Sequence, residues 1–184
     1  GIARPEPKSP EPFIKTSSSV IGPNEPIVLP TGAGRVDAEG EVVVVISRRG
    51  RDIPEDRVQD YILGYTCGND VSAREWQRDD LQWWRAKSAD SFTAVGPWIA
   101  TDLDPEQISL AVRVNSEEVQ RATTGDLIHS VARCVAHISS AMTLEPGDLV
   151  FTGTPGDTRS LESGDLVEVE IGGVGVLRNP VVSG

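Results

Sequence analysis

The stretch RVDAEGEVVVVISRRG, residues 35–50, carries the clearest β-strand signal of the chain. Its run over residues 42–46 is β-branched and apolar at every position, which is typical of a strand buried on both faces of a sheet. Glu39 and Glu41 lie just before this run. Side chains alternate between the two faces of a strand, so a strand that begins near Asp37 places both carboxylates on one face. Like charges at that spacing destabilise a strand unless a cation lies between them.

The glutamate pair has two interpretations. A divalent cation that prefers hard oxygen ligands, such as Mg²⁺, would neutralise the pair and keep coordination positions for water and substrate. The alternative is that Glu39 and Glu41 are exposed at the start of a strand and are solvated separately. The pair alone does not decide between a metal site and a solvated surface.

A third carboxylate follows in GYTCGNDVSAREWQ, residues 64–77. A strand beginning near residue 63 ends at Asn69 and Asp70, so Asp70 lies at a strand terminus that a sheet holds rigidly. Arg74 carries a planar guanidinium that suits bidentate pairing with the carboxylate of an anionic substrate. Alternatively, Asp70 caps the short helical segment that follows it.

Strand patterns dominate the rest of the chain, with two short helices. One helix is expected to start near residue 52, where acidic residues follow a proline and Val58, Tyr61 and Ile62 form one face. The other is expected over residues 130–142, where apolar residues have the spacing of an amphipathic helix. The sequence therefore predicts an α+β fold with far more strand than helix.

The later strands are separated by turn signals. SLAVRV, residues 109–114, alternates in polarity and should turn at Asn115–Ser116 into EEVQRA. The tetrads EPGD and ESGD precede the strand patterns LVFTG and LVEVEIGG, and Gly172–Gly173 should close the last hairpin.

Composition and charge exclude several classes of partner. The 184 residues suit one domain, and a formal net charge of −11 argues against nucleic-acid binding, which needs a basic surface. The sequence contains no run of 18 apolar residues, so it predicts no membrane-spanning helix. Cys67 and Cys134 are well separated and form no CxxC pattern, which favours a core position and a reducing compartment. We expect a cytoplasmic protein with no membrane partner.

Several long motifs, in order, resemble the fumarylacetoacetate hydrolase family. They are DAEGEVVVVIS, GYTCGNDVSAREWQ, WWRAKSADSFTAVGPWI, MTLEPGDLVFTGTPG and GDLVEVEIGGVGVLRN. The resemblance covers residues 13–182, and ordered long motifs are more specific than any single short pattern. It implies a β-rich mixed sandwich or roll, a homodimer, and a catalytic domain over residues 13–184. Residues 1–12 are Pro-rich and are expected to form an extended lead-in, the remnant of an N-terminal lid segment.

The resemblance also implies a metal site and its chemistry. The family binds Mg²⁺ or Mn²⁺ through positions that match Glu39, Glu41 and Asp70, and its substrates are small 2-oxo or 1,3-dicarbonyl acids. The metal polarises a carbonyl and stabilises an enolate, which serves C–C hydrolysis, decarboxylation and tautomerisation. On this reading a divalent metal neutralises the glutamate pair.

Further positions match catalytic and substrate-binding residues of the family. Lys87 would stabilise negative charge on the substrate as a catalytic and substrate-binding residue. Arg74 and Gln77 would line the pocket and position polar groups or water. In TGTPG, Gly153 and Thr154 match a substrate-carboxylate contact, although the segment is equally consistent with a simple Gly-Pro turn.

Two features of the chain depart from the family pattern. Ala89 stands where an aromatic residue is usual, which would reshape the pocket. Many members carry a His and a Glu on an N-terminal lid as acid and base, and the two histidines here do not match them. His137 is expected at the surface or boundary of its helix, and His129 is expected to pack or cap.

Three functions are consistent with these residues. The first is hydrolysis of a C–C bond in an acylpyruvate-type 2-oxo acid, and it needs a lid-borne acid and base. The second is oxaloacetate-type decarboxylation, which needs only the metal and Lys87, or keto–enol tautomerisation or isomerisation on the same fold. The third is a non-catalytic metal-binding domain that serves dimer formation. Trp83, Trp84 and Trp98, which lie near Lys87 in the sequence, are expected to be core or interface residues rather than a substrate stack.

Overall fold

The computed structural model describes residues 7–156 and 158–184. Its strands are β1 (Val20–Ile21), β2 (Ile27–Leu29), β3 (Val36–Ala38), β4 (Gly40–Ile46), β5 (Ile62–Asp70), β6 (Ser72–Ala73), β7 (Thr93–Ala100), β8 (Ser109–Val114), β9 (Glu117–Thr123), β10 (Leu149–Phe151), β11 (Arg159–Ser160), β12 (Leu166–Ile171) and β13 (Gly175–Ser183). Its α-helices are α1 (Arg74–Asp79), α2 (Trp84–Ser88) and α3 (Val131–Ala141), with 3₁₀ helices at Ser17–Ser19, Glu55–Tyr61 and Thr124–Asp126. The fold is strand-dominated with curled mixed sheets, which confirms the predicted fold class. The first six residues of the predicted lead-in lie outside the described residues.

Strand β4 lies inside a five-stranded sheet of order β1-β7-β5-β4-β10. All of its residues are buried, and it has a sheet neighbour on each side, β5 and β10. The antiparallel register with β5 places Glu41 opposite Gly68 and Gly40 opposite Asn69. The prediction of a buried interior strand is confirmed.

The sequence predicted that Glu39 and Glu41 lie on one continuous strand, but in the structure the strand is interrupted at Glu39. Strand β3 belongs to a small sheet of order β11-β3-β6, and the chain changes sheets at Glu39 before β4 begins. There the Glu39 amide donates to Asn69 Oδ1 at 2.9 Å, and the Glu39 carbonyl accepts from the Asp70 amide at 2.8 Å. These two hydrogen bonds at the change of sheet place Glu39 beside the end of β5.

The other five-stranded sheet has the order β2-β13-β12-β8-β9 and packs against the first sheet. A Cβ added to Gly40 would lie 2.2 Å from Val112 Cγ2 of β8, so the two sheets meet too closely there for any side chain. The predicted hairpin turn is confirmed, since Asn115 and Ser116 both have positive φ, as a type I′ turn requires. The last two strands form the predicted hairpin, with Gly173 also at positive φ.

The helices differ in part from the sequence prediction. Helix α3 is confirmed, and Ser130 Oγ caps it by accepting from the Arg133 amide at 3.1 Å. The helix expected near residue 52 is instead a 3₁₀ helix, Glu55–Tyr61, and Ile62 already belongs to β5. Helices α1 and α2 were not among the two predicted helices. They are too short for a helical period to emerge in the sequence.

The tryptophans are less buried than predicted. Trp84 is 68% exposed and Trp98 is 63% exposed, so neither is a core residue, and an interface position for them stays a prediction. Trp83 packs edge-on against Phe13 with ring centroids 5.7 Å apart. Successive residues at the start of α2 point to different sides, which separates Trp83 from Trp84.

The predicted positions of the two cysteines and the two histidines agree with the structure. Cys67 and Cys134 are unpaired and buried, as predicted. His137 lies within α3 and is partly buried, at the boundary between core and surface. His129 is also partly buried and precedes Ser130, the N-cap of that helix. None of the helices in the described ranges has the length and apolar character needed to cross a membrane.

Candidate active site

Three carboxylates converge where β3, β4 and β5 meet. One oxygen from each of Glu39, Glu41 and Asp70 lies within 4.8 Å of the others, and all three residues are buried. The register of β4 with β5 and the change of sheet at Glu39 bring the three carboxylates together. The alternative of two separately solvated glutamates is therefore wrong. Asp70 is not a helix cap either, because the N-cap position of α1 is Ala73.

Lys87 lies against two of these carboxylates. Its Nζ donates to Glu39 Oε2 at 2.6 Å and to Asp70 Oδ2 at 2.5 Å, and only 3% of the residue is exposed. Burial alone would lower the pKa of Lys87, but the charges of Asp70 and Glu39 outweigh burial and raise the pKa above its ordinary value. The ammonium is therefore protonated, and it forms one electrostatic unit with the two carboxylates.

Lys15 is a second cation at this site that the sequence did not indicate. Its Nζ donates to Asp70 Oδ1 at 2.5 Å and also to the backbone carbonyl of Lys87. Burial lowers the pKa of Lys15, although the charge of Asp70 opposes that shift. Phe13, from the same segment, places its ring 4.9 Å from Lys87 Nζ. The segment of chain before β1 therefore forms one wall of the site.

Glu41 differs from its two partners because it contacts no cation in the described part of the chain. Its Oε2 accepts from the Gly153 amide at 2.6 Å. Burial raises the pKa of Glu41 well above its ordinary value, and the neighbouring charges of Asp70 and Glu39 raise it further. A buried carboxylate in this position gains most from a divalent cation.

Arg74 and Gln77 both lie at the edge of the site. Arg74 donates to Glu39 Oε1 at 2.6 Å, to Asp37 Oδ2 at 2.8 Å and to Gln77 Oε1 at 2.9 Å. Most of its donors are thus directed to groups of the protein. Pairing of Arg74 with a substrate carboxylate stays a prediction.

Gly153 and Thr154 lie in a turn that packs onto β4. Thr154 Oγ1 donates to the Gly40 carbonyl at 2.9 Å and accepts from Gln120 Nε2 at 3.0 Å. Gln120 also donates to the Pro155 carbonyl at 2.8 Å and accepts from the Gly40 amide at 3.3 Å. Buried Gln120, which sequence patterns did not indicate, therefore fixes the turn so that the Gly153 amide faces Glu41.

The two histidines are not members of the acidic cluster. His129 Nε2 is buried and has no hydrogen-bond partner among the described residues. The acid and base groups that the described residues bring together are thus the lysines and carboxylates around Asp70.

The acidic cluster fits a hard divalent cation. Three buried carboxylates supply oxygen ligands only, the donor set that Mg²⁺ and Mn²⁺ prefer over sulfur and imidazole. Glu39 and Asp70 each have ammonium partners, whereas Glu41 has none in the described ranges. The residues present could hold such an ion at this position.

Comparison with known proteins places this geometry in a family. The model of the fumarylacetoacetate (FAA) hydrolase C-terminal domain matches residues 2–182. The solved structure of 5-carboxymethyl-2-hydroxymuconate delta-isomerase from Mycobacterium smegmatis is similar, with 48% identity, a TM-score of 0.95, and coverage of 97% of this chain and 71% of that one. The mitochondrial oxaloacetate tautomerase Fahd2a of Rattus norvegicus is 40% identical over 96% of this chain and 60% of the relative.

Hydrolases are also among the similar proteins. The solved structure of maleylpyruvate hydrolase from Sphingobium sp. SYK-6 is 34% identical with a TM-score of 0.87, and the match covers 94% of this chain and 64% of that one. The family thus includes isomerases, tautomerases and hydrolases on one fold. The chain described here belongs to the fumarylacetoacetate hydrolase family of enzymes.

Proposed function

We propose that this chain catalyses proton transfer between carbon and oxygen in a small 2-oxo acid, that is, keto–enol tautomerisation or a related isomerisation. The observation that carries the proposal is the position of Lys87 Nζ, which lies 2.6 Å from Glu39 Oε2 and 2.5 Å from Asp70 Oδ2. A proton-bearing group is thereby held at the acidic cluster. The names of similar isomerases and of the rat tautomerase support the same reaction class.

The proposed metal ligands are Glu39, Glu41 and Asp70, and the proposed ion is Mg²⁺ or Mn²⁺. Bound there, the ion would supply positive charge that favours an enolate over the keto form of the substrate. The three carboxylates hold and orient it, and the Gly153 amide orients Glu41. This division of labour leaves proton movement to the protein.

Lys87 is the group proposed to move the proton. It gives a proton to the substrate carbon as the N–H bond breaks and the C–H bond forms. The enol hydroxyl then returns a proton to the amine, so no net proton is consumed. Proton transfer by a positioned side chain contributes about 10²–10⁴-fold to a rate.

Arg74, Gln77, Gly153 and Thr154 are proposed to line the substrate pocket. Gln77 accepts from Arg74 Nη1 at 2.9 Å, which fixes both side chains at the rim of the cluster. Gly153 and Thr154 belong to the turn that Gln120 holds in place. The guanidinium of Arg74, the neutral amide of Gln77 and a fixed turn would recognise the carboxylate of a small 2-oxo acid.

The second candidate is hydrolysis of the C–C bond of an acylpyruvate. The similarity to maleylpyruvate hydrolase favours it. Hydrolysis also requires a base that activates water, and neither histidine of the chain is in the acidic cluster. Decarboxylation of oxaloacetate is a further reaction that the same electron sink could serve.

We also propose that the enzyme acts as a homodimer. Trp98 on β7 is 63% exposed, and aromatic residues such as Trp are enriched at protein–protein interfaces. Sedimentation of the parent and of a Trp98→Ser variant measures this directly. A monomeric parent would contradict the dimer.

Three parallel assays test the function. The first follows decay of the ultraviolet absorbance of enol-oxaloacetate, the second measures carbon dioxide release, and the third follows loss of an acylpyruvate's enol absorbance. We expect Mg²⁺- or Mn²⁺-dependent acceleration of enol decay without carbon dioxide release. Pyruvate production from the acylpyruvate would instead assign hydrolysis, and metal binding without any turnover would indicate a non-catalytic domain.

A further inference from the structure

The DAEGE motif carries three alternating carboxylates, and the first of them does not join the acidic cluster. Asp37 precedes Glu39 and Glu41 at the same two-residue spacing, yet the cluster contains only the latter two. Asp37 is 1% exposed, although it is charged. A buried carboxylate requires compensating donors, and the identity of those donors indicates its role.

Two arginines and a hydroxyl surround Asp37. Arg35 donates through Nε to Oδ1 at 2.7 Å and through Nη2 to Oδ2 at 3.0 Å. Arg74 Nε donates to Oδ2 at 2.8 Å, and Thr158 Oγ1 donates to the same oxygen at 2.6 Å. Three of these four donated hydrogen bonds come from guanidinium groups, which compensate for the burial of a negative charge. Asp37 is therefore an anion that faces Arg74 directly.

Arg74 is shared between Asp37 and Glu39. While its Nε contacts Asp37, its Nη2 donates to Glu39 Oε1 at 2.6 Å. The other Glu39 oxygen accepts from Lys87 at 2.6 Å. A cation that binds Glu39 must therefore compete with Arg74. Asp37 gives Arg74 a second anionic partner, so the guanidinium can give up Glu39 without leaving its own buried charge unpaired.

We propose that Asp37 is a positioning residue that acts through Arg74 and sets how strongly Arg74 competes with a divalent cation for Glu39. The inference rests on the proposed function, since it assumes that a cation binds the acidic cluster. It assigns distinct tasks to the three carboxylates of one motif: Glu39 and Glu41 bind the cation, and Asp37 restrains the arginine. A purely structural role would instead link β3 to α1 without affecting the arginine's competition for Glu39.

A double-mutant cycle on the chain of residues 1–184 tests this role of Asp37, with Mn²⁺ affinity measured by titration calorimetry. Asp37→Asn is expected to weaken Mn²⁺ binding about tenfold, a coupling within the usual range for groups in contact. Arg74→Gln is expected to strengthen binding, because it removes the competing cation. In the Arg74→Gln background, Asp37→Asn should change the affinity by no more than about twofold, since the intermediary is absent.

The measured Mn²⁺ affinities distinguish failure of the role of Asp37 from failure of the proposed metal site. If Asp37→Asn shifts the affinity equally in both backgrounds, or in neither, Asp37 does not act through Arg74 and the inference is overturned. If the parent binds no Mn²⁺, the proposed metal site and this inference both fail. If the parent binds Mn²⁺ but Asp37→Asn shifts the affinity equally with and without Arg74, only the role of Asp37 is overturned.

A milder variant covers the case in which Asp37→Asn does not fold. Thr158→Val removes the hydroxyl that donates to Asp37 and accepts from Arg74 at 2.9 Å, without introducing a new charge or amide. We expect it to weaken Mn²⁺ binding about two- to threefold, and only when Arg74 is present. Equal affinities of Thr158→Val and parent would count against the inference.

Discussion

Lys87 Nζ lies 2.5 Å from Asp70 Oδ2, and both residues are almost completely buried, with 3% and 2% of their side chains exposed. This pair joins helix α2 to the end of strand β5. Each charge compensates for the burial of the other, so removal of either leaves a buried charge less well paired. The same contact therefore contributes to stability and to the proposed chemistry.

Lys87→Met tests both contributions. Loss of the buried ammonium leaves Glu39 and Asp70 short of a counter-ion, so we expect a stability loss of about 3–5 kcal/mol in urea unfolding. Mn²⁺ should recover much of that stability, whereas enol decay should stay slow, by about 10²–10⁴-fold. Exposed Lys8→Met is the matched control and should leave both properties unchanged. A fully active Lys87→Met enzyme would remove the lysine from the mechanism.

Asp70→Asn tests the proposed metal ligands by a measurement independent of catalysis. With Mn²⁺ at about 100 times its dissociation constant, linkage predicts about 2.7 kcal/mol of stabilisation for the parent, or about 5–10 °C in melting temperature. Asp70→Asn should lose most of that shift. Exposed Asp90→Asn serves as the control and should keep it. If Mn²⁺ raises the melting temperature of all three proteins equally, Asp70 is not a ligand.

The parts of the site that sequence could predict are those encoded within one motif. Strand patterns and strand ends, which are local features, singled out Glu39, Glu41 and Asp70 but left a solvated pair and a helix cap as alternatives. The family resemblance selected the metal site and added Lys87. Strand β4 was also predicted from a local feature, since its β-branched run needs no information from other segments.

The parts that sequence could not predict depend on contacts between distant segments. Lys15 meets Asp70 across 55 positions, and Gln120 meets Gly40 across 80 positions. No periodicity marks a single lysine or glutamine as buried, because both types are usually exposed. The interruption between β3 and β4 at Glu39 was not predicted, because it arises from a change of sheet that leaves no local signal in the sequence.

The buried thiol of Cys67 predicts a loss of stability in alkali. Burial raises the pKa of Cys67 from its ordinary 9.0 to about 12 in the folded chain. Folding therefore favours the protonated thiol, whose contribution is complete below pH 9.0 and is lost as pH rises toward about 12. Urea unfolding across this range should show a smaller decline for Cys67→Ala than for the parent. Identical pH profiles would contradict the assignment.

Gln120→Ala should release the turn at Gly153 and Thr154. The Gly40 amide and the Pro155 carbonyl would each lose a side-chain partner, so we expect about 1–3 kcal/mol of destabilisation. Freed from Gln120, the turn should also hold Glu41 less firmly and weaken Mn²⁺ binding. Exposed Gln107→Ala is the control for both measurements. Unaltered Mn²⁺ affinity in Gln120→Ala would show that the turn does not orient Glu41.

Gly40→Ala tests whether the packing of the two sheets positions the glutamates on either side of it. The added Cβ would lie 2.2 Å from Val112 Cγ2, so β4 must move away from β8 or Val112 must shift. Overpacking of this kind costs about 1–3 kcal/mol, and a displaced β4 would move Glu41 relative to Asp70 and weaken Mn²⁺ binding. The second-site change Val112→Ala removes the clashing methyl group, so the double variant should recover part of the stability and of the Mn²⁺ affinity that Gly40→Ala loses. If the double variant binds Mn²⁺ no better than Gly40→Ala, the clash is not what displaces the ligands, and close packing at Gly40 does not control the geometry of the cluster.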